Sequence, residues 1–134
     1  QQFQKWLEPG LIQWAKKFPG KLGYYAKHVG PHYYSADFLA APWGGFGFDH
    51  RVSLIDVLKN PNRKGLVQGN FDQSLLFLEK NDFERELDQY FSQLLTLSSE
   101  QRAGWVCGLG HGVLPKTPEA HIRHFVKRAR EVFA

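Results

Sequence analysis

The sequence predicts an α/β fold built on a parallel sheet, and two observations lead to this class. Short segments of strand length alternate four times with segments of helical periodicity. The strand segments are apolar throughout instead of alternating with polar residues, which is typical of strands covered on both faces. Two architectures satisfy the pattern: a doubly wound open sheet, or part of a (β/α)8 barrel. A full barrel is excluded because it needs about 250 residues and this chain has 134.

The first element is predicted as a helix over residues 2–17, which Pro19 and Gly20 terminate. Apolar residues recur along it with helical spacing and are expected to form its buried stripe. Four strands are then expected within 21–26, 45–50, 64–70 and 104–110. The stripe of the first helix consists of Phe3, Leu7, Leu11, Trp14 and Phe18.

Helices are predicted between and after these strands from caps and apolar periodicity. Ser35 is expected to cap a short helix over 35–41, and a second helix covers 53–60 up to Pro61. The clearest periodic segment is 82–97, with Asp82 as its expected cap. The last helix is expected to begin with Thr117 as N-cap and Pro118 in the first helical position. Its predicted buried face consists of Ile122, Phe125, Val126, Ala129 and Phe133.

Composition narrows the class of protein further. No apolar run approaches the roughly 18–20 residues that cross a bilayer, and no signal peptide is recognised. The single cysteine suits a reducing compartment such as the cytoplasm, and no CxxC or HExxH spacing indicates zinc. The net charge of +4 favours an anionic partner only weakly, and no nucleic-acid-binding motif accompanies it. The chain lacks an initiator methionine and is interpreted as a piece of a longer protein or a processed chain.

Polar side chains occur where each predicted strand ends. In either architecture the carboxyl ends of the strands form the active-site edge, so these residues are candidates for a site. His111 stands out because it lies between two glycines and has no local packing partner, whereas His121 and His124 are interpreted as surface residues of the last helix. Asp49 could instead cap a helix, and Asn70 could satisfy its own turn. The candidates are Lys27, Asp49, Gln68, Asn70, Gly110, His111 and Gly112.

Two stretches at these strand ends resemble signatures of the uroporphyrinogen decarboxylase family. They are LVQGNFD at 66–72 and GLGHGVLPKTPE at 108–119, and YAKHVG at 25–30 and GFGFDH at 45–50 fall in the family's order. The resemblance covers about residues 3–133. The chain departs from the family pattern at His50, Gln73 and Gly108, where the family has Trp, Pro and Asn.

The resemblance implies that residues 1–134 form one domain, the C-terminal half of a (β/α)8 TIM-type barrel. The implied reaction converts the four acetate side chains of uroporphyrinogen III to methyl groups, giving coproporphyrinogen III, without a cofactor or metal. His111 would be catalytic and would also bind substrate, together with Lys27, Asp49, Gln68, Asn70, Gly110 and Gly112. The family's arginine-bearing segment and central aspartate would come from the N-terminal half, so the expected partners are the tetrapyrrole and either that half or a second copy of the chain. A cytoplasmic homodimer is expected of the full-length enzyme.

Two other classes of function remain open. One is a zinc- and corrinoid-linked methyltransferase of the same superfamily, which would need a His-x-Cys on a late strand. The corresponding segment here reads Val67-Gln68-Gly69-Asn70 and offers neither ligand. The other is a non-catalytic binding or assembly module.

Overall fold

A computed structural model describes residues 2–133 of the chain. Within this range the chain forms a four-stranded, fully parallel sheet in which spatial order follows chain order. Each predicted strand segment overlaps one of the observed strands, and the third observed strand ends at Phe71, one residue beyond its predicted segment. The predicted α/β class is therefore confirmed. The strands are β1 (Gly23–Tyr25), β2 (Gly45–Gly47), β3 (Leu66–Phe71) and β4 (Trp105–Leu109).

Helices precede the first strand, connect the strands and follow the last one. The helices described are α1 (Gln2–Trp6), α2 (Glu8–Lys17), α3 (Ala36–Ala40), α4 (Leu54–Lys59), α5 (Lys80–Leu95), α6 (Ser99–Arg102) and α7 (Glu119–Phe133), with 3₁₀ helices at Pro31–Tyr33 and Gln73–Phe77. None of the helices within residues 2–133 combines the length and apolar character needed to cross a bilayer.

The N-terminal segment is two helices instead of the predicted single one. α2 begins at Glu8 with Pro9 in its first turn, a place that proline tolerates because its missing N–H would have no helical partner there. The predicted apolar stripe is only partly correct, since Phe3 and Leu11 pack against the core but Leu7 and Trp14 are 57% and 63% exposed. Phe18 is exposed as well.

Of the helix caps predicted from the sequence, the one at Ser35 is confirmed and the one at Asp82 is not. Ser35 accepts a hydrogen bond from the Phe38 N–H, as predicted, and Ser53 caps α4 in the same way. The expected cap at Asp82 is wrong, because α5 already begins at Lys80 and the Asp82 carboxylate pairs with Arg85 at 2.7 Å.

The start of the last helix also differs from the prediction. α7 begins at Glu119, and the Thr117 hydroxyl donates to the Leu114 carbonyl. On its predicted buried face Phe125 is 7% exposed, but Val126 is 42% exposed and does not belong to the core.

The core lies on one side of the sheet, between the strands and the helices. Phe46, Val67 and Phe71 point from β2 and β3 into it, and all three are at most 8% exposed. This layer contains two aromatic clusters, one around α3 and a second between β3, α5 and α7. The clusters contain Tyr24, Tyr34, Phe38, Trp43 and Phe46 in the first and Phe71, Phe83, Phe91 and Phe125 in the second.

The other side of the sheet is open in the part of the chain that the structure describes. Tyr25 and Val106 are 44% and 45% exposed, and Gln68, which lies in register with both, is exposed as well. The expectation that both faces are covered is therefore wrong for these residues. The prediction failed because tyrosine, valine and glycine on the open face do not produce the polar alternation that reveals a solvent-facing side.

Candidate functional site

The end of β1 and the end of β2 are joined by the carboxylate of Asp49. The backbone N–H of His28 donates to its Oδ2 at 2.6 Å, and the N–H of Arg51 donates to its Oδ1 at 3.0 Å. The residue is only 1% exposed. His28 has a φ of 63°, which non-glycine residues rarely adopt, so the first hydrogen bond also holds a strained turn.

The environment of Asp49 favours the charged carboxylate. Burial alone raises the pKa of this carboxyl group, but two backbone hydrogen bonds and the nearby His50 and His28 rings outweigh burial. The pKa of Asp49 therefore lies below its ordinary value, and the group carries a negative charge at neutral pH.

Asn70 at the end of β3 contacts the same loop. Its side-chain amide donates to the carbonyls of Asp49 and Val52 at 2.8 and 2.7 Å, and its own N–H donates to the Tyr90 hydroxyl at 2.9 Å. These contacts brace the loop after β2 against β3 and α5. Direct contact of Asn70 or Asp49 with a substrate stays a prediction.

Gly110 and Gly112 flank His111 for different structural reasons. The Gly110 N–H donates to the Phe71 carbonyl at 2.7 Å, and a Cβ on Gly110 would lie 2.7 Å from the backbone nitrogen of His50. Only glycine therefore lets the end of β4 approach the loop after β2 this closely. A Cβ on Gly112 would meet no atom within 4 Å, so the space beside it is open.

His111 contacts the last residue of β1 through one ring nitrogen. Its Nδ1 lies 3.3 Å from the Tyr25 hydroxyl, which also donates to the Gly110 carbonyl at 2.8 Å. The Tyr25 and His111 rings are perpendicular, with centroids 6.1 Å apart. The centroid of the His28 ring lies 6.2 Å from that of His111. The other ring nitrogen, Nε2, is buried and has no hydrogen-bond partner among the described residues. Burying an imidazole nitrogen without a hydrogen-bond partner costs free energy, because the nitrogen has lost its contact with water. A ligand group that hydrogen-bonds to this nitrogen would offset that cost.

A groove of about 390 Å³ borders His111 on the open face of the sheet. The side chain of Gln68 crosses its floor: a Cβ on Gly47 would lie 2.9 Å from Gln68 Oε1, and a Cβ on Gly108 would lie 3.3 Å from Nε2. Glycines in the neighbouring strands thus leave room for this amide. The groove is lined by Tyr25, Gln68, Leu109, Gly110, His111, Gly112 and Val113.

The structure brings most of the predicted candidates to the carboxyl edge of the sheet, but their surroundings there differ. Lys27 is exposed beyond the end of β1, Gln68 and His111 border the groove, and Asp49 and Asn70 are buried beneath it. Tyr25 belongs to this site and was missed. The alternation of Tyr24 and Tyr25 in a short strand was the signal for it, because one of two successive side chains must face away from the core.

The two histidines of α7 are not ordinary surface residues. The His121 ring stacks on Phe83 at 4.5 Å, and its Nδ1 lies 2.9 Å from the Leu76 carbonyl oxygen. His124 lies 3.5 Å from the Glu84 carboxylate, and both side chains are about one third exposed. The surface interpretation was wrong because both residues join α7 to α5, and His121 also contacts the 3₁₀ helix that precedes α5.

Metal-ligating groups are scattered in the part of the chain described. No three His, Cys, Asp or Glu residues within 2–133 lie close enough together to hold a metal ion. The Cys107 thiol is half-buried on β4, and burial raises its pKa to about 12. It is therefore protonated at neutral pH and a poor nucleophile. Zinc-free function stays a prediction.

The fold and groove define an α/β protein that carries its polar site at the carboxyl edge of a parallel sheet. Within this class, the profile of the family described as Uroporphyrinogen decarboxylase (URO-D) matches residues 1–132. The chain belongs to the uroporphyrinogen decarboxylase family, which confirms the resemblance drawn from the sequence.

Curated relatives agree with this family. The chain is 33% identical to uroporphyrinogen decarboxylase of Chlamydia muridarum over 79 residues, covering 59% of this chain and 22% of that protein. It is 34% identical to that of Thermus thermophilus over 68 residues, covering 51% and 18%. It is 32% identical to that of Nostoc punctiforme over 98 residues, covering 72% and 24%. The chain thus spans about a quarter or less of the length of these relatives.

Proposed function

We propose that the protein carrying this chain converts the four acetate side chains of uroporphyrinogen III to methyl groups, giving coproporphyrinogen III. Family membership supports the class of reaction. The observation that carries the proposal is the buried, unpartnered Nε2 of His111, a residue that lines an open groove at the carboxyl edge of the sheet. A carboxylate or pyrrole N–H of a tetrapyrrole would supply the partner that this nitrogen lacks.

We also propose that residues 1–134 form one domain, the last four βα units of a (β/α)8 barrel. Strand order follows chain order without the reversal that marks a doubly wound sheet. In a flat sheet β1 and β4 would lie about 14 Å apart, which is three strand spacings. The Tyr25 hydroxyl nevertheless reaches the Gly110 carbonyl at 2.8 Å, so the strand ends are drawn together on the open face. Curvature toward that face is what closure into a barrel requires.

The proposed reaction needs no cofactor because the substrate is its own electron sink. When a pyrrole ring is protonated first, the electron pair of the breaking C–CO2 bond flows into the cationic ring. This leaves a neutral ring with an exocyclic methylene carbon. That carbon takes a proton to become a methyl group, and loss of the proton first added to the ring restores the neutral pyrrole. The protein has to orient the macrocycle and stabilise the cationic intermediate.

The residues of this chain would act in two ways: some would contact the substrate, and others would hold the loops that carry those contacts. His111 would bind a carboxylate or pyrrole group through Nε2, and exposed Lys27 would pair with a carboxylate. Gln68 would offer its amide from the floor of the groove, and the open space at Gly112 would admit the macrocycle close to the backbone. Asp49 and Asn70 would act chiefly by fixing the loops that carry these groups.

The remaining groups would come from outside this chain. The family's arginine-bearing segment and central aspartate would be supplied by the first half of the barrel, and the full-length enzyme would act as a cytoplasmic homodimer. The single cysteine fits this reducing compartment.

The test is anaerobic incubation of the intact protein with uroporphyrinogen III, with and without a metal chelator, followed by chromatography of the oxidised products. We expect stepwise loss of four carboxyl groups and no effect of the chelator. Tight binding of the tetrapyrrole without turnover would reject the enzyme and favour a binding module, and chelator-sensitive methyl transfer would favour the methyltransferase class.

A further inference from the structure

The Tyr25 hydroxyl bridges two groups that compete for its single proton. It lies 2.8 Å from the Gly110 carbonyl oxygen and 3.3 Å from His111 Nδ1. A carbonyl oxygen can only accept, whereas an imidazole nitrogen can either accept or donate. The shorter contact therefore takes the tyrosine proton, and the tyrosine oxygen offers a lone pair to His111.

The hydroxyl remains protonated in neutral solution. Burial raises the pKa of Tyr25, and the negative charge of Asp49 raises it further. The donor to Gly110 therefore persists, and Tyr25 can satisfy His111 Nδ1 only by accepting a proton from it.

We propose that Tyr25 is a positioning residue that fixes the neutral His111 ring in the Nδ1–H tautomer. The proton on one imidazole nitrogen is set by the hydrogen bond that this nitrogen makes, and here Nδ1 faces an acceptor. Nε2, the unpartnered nitrogen, then carries a lone pair and no proton.

This tautomer restricts what His111 does in the reaction, a consequence that rests on the proposed function. A neutral ring with Nδ1–H accepts a hydrogen bond at Nε2, for instance from a pyrrole N–H, and cannot donate one there. His111 must first take up a second proton before Nε2 donates to a substrate carboxylate. The tautomer itself is a property of the protein without substrate and is tested separately.

The experiment uses the intact protein with 15N-labelled histidine rings and long-range 1H–15N correlation spectra. His111→Gln identifies the His111 signals. At a pH where the ring is neutral we expect the Nδ1–H pattern in the wild type. In Tyr25→Phe we expect the ratio of Nδ1–H to Nε2–H to fall about tenfold, the size of effect that one hydrogen bond gives.

Tyr33→Phe is the matched control, because Tyr33 is exposed and its ring lies 4.3 Å from another histidine, His32. It should leave the His111 spectrum unchanged. An Nε2–H pattern in the wild type overturns the inference even if Tyr25→Phe fails to fold, and so does an unchanged ratio in a folded Tyr25→Phe. An Nδ1–H pattern in a protein that does not decarboxylate uroporphyrinogen rejects the proposed function and leaves the tautomer assignment intact.

Discussion

At the residue scale, His111 is held by one ring nitrogen and leaves the other without a partner. We expect His111→Gln in the intact protein to lower decarboxylation by about 10²- to 10³-fold, the range for loss of one preorganised hydrogen bond at a reacting centre. The melting temperature should change little, because the ring is only half-buried and its loss should cost less than about 1 kcal/mol. Initial rates and thermal unfolding measure the two effects.

His32→Gln is the control for this substitution, since His32 is exposed in the 3₁₀ helix after β1. It should leave both the rate and the melting temperature unchanged. Normal turnover of His111→Gln combined with a large loss of stability would show that His111 is structural.

Also at the residue scale, the buried carboxylate of Asp49 leads to a prediction about the free energy of unfolding and its dependence on pH. Both of its carboxylate oxygens accept backbone N–H groups, so Asp49→Asn places an NH₂ group against a donor. We expect a loss of about 1–3 kcal/mol in the free energy of unfolding at pH 7, the cost of a buried unsatisfied group. Denaturant unfolding measures the loss, and Asp37→Asn on the exposed face of α3 is the control.

The pH dependence of this loss follows from the sign of the pKa shift. The folded-state pKa of Asp49 lies below its ordinary value of 3.8, so the charged group stabilises the fold at higher pH. That contribution is complete well above pH 3.8 and disappears as the pH falls through the lowered folded-state value. The difference between wild type and Asp49→Asn should therefore shrink in acid below about pH 4, and a difference that grows there would contradict the assignment.

At the scale of elements, the two glycines beside His111 differ in their surroundings: Gly110 packs against the loop after β2, whereas Gly112 borders open space. Gly110→Ala forces a Cβ against backbone atoms of His50 and Asp49, at 2.7 and 3.0 Å, where no side chain can move aside. We expect a loss of about 1–3 kcal/mol, as for other overpacked sites. Gly112→Ala is the matched control for folding, because its Cβ meets open space.

The same pair of variants also tests where the substrate approaches. Gly112→Ala should keep the melting temperature of the wild type but raise KM if the macrocycle passes close to that backbone. Equal stability of both variants in thermal unfolding would show that the end of β4 does not depend on its contact with the loop after β2.

The elements that the sequence predicted are those with local signals. Strand segments and helices with apolar periodicity were found because that pattern is local, and Ser35 was found as a cap because its hydroxyl reaches only three residues ahead. The 3₁₀ helix at Gln73–Phe77 was missed, since it depends on the Asp72 side chain accepting from Ser74. α6 was missed although Ser98 and Gln101 form a capping box that the sequence displays.

The site was harder to predict than the elements because it depends on the register of the whole sheet. Tyr25 and His111 are 86 residues apart, and only the curvature of the strand ends brings them together. The sequence could nominate polar groups at strand ends but could not separate Asp49 and Asn70, which are buried as braces, from Gln68 and His111, which border the groove. That separation is decided by hydrogen bonds between loops that no local pattern encodes.

At the scale of the whole molecule, the described sheet has two edges. Within residues 2–133, β1 pairs only with β2 and β4 only with β3, so each offers unpaired backbone groups that favour pairing with another chain. The open face beside them exposes Tyr25, Leu66 and Val106. A first half-barrel, or a second copy of the chain, would cover both the edges and this face.

We therefore expect that these 134 residues alone do not decarboxylate uroporphyrinogen III. The chain would lack the aspartate and arginines that the proposed chemistry takes from the first half, and its groove would be open on the side where they would lie. Co-expression with a separately encoded first half should restore turnover, measured as coproporphyrinogen formed under anaerobic conditions, because pairing at β1 and β4 would complete the groove. The same complex carrying His111→Gln should remain slow, which ties the recovered activity to this site. Turnover by the pure 134-residue chain would refute the half-barrel proposal, since the pyrrole would then be protonated by groups already present in this chain.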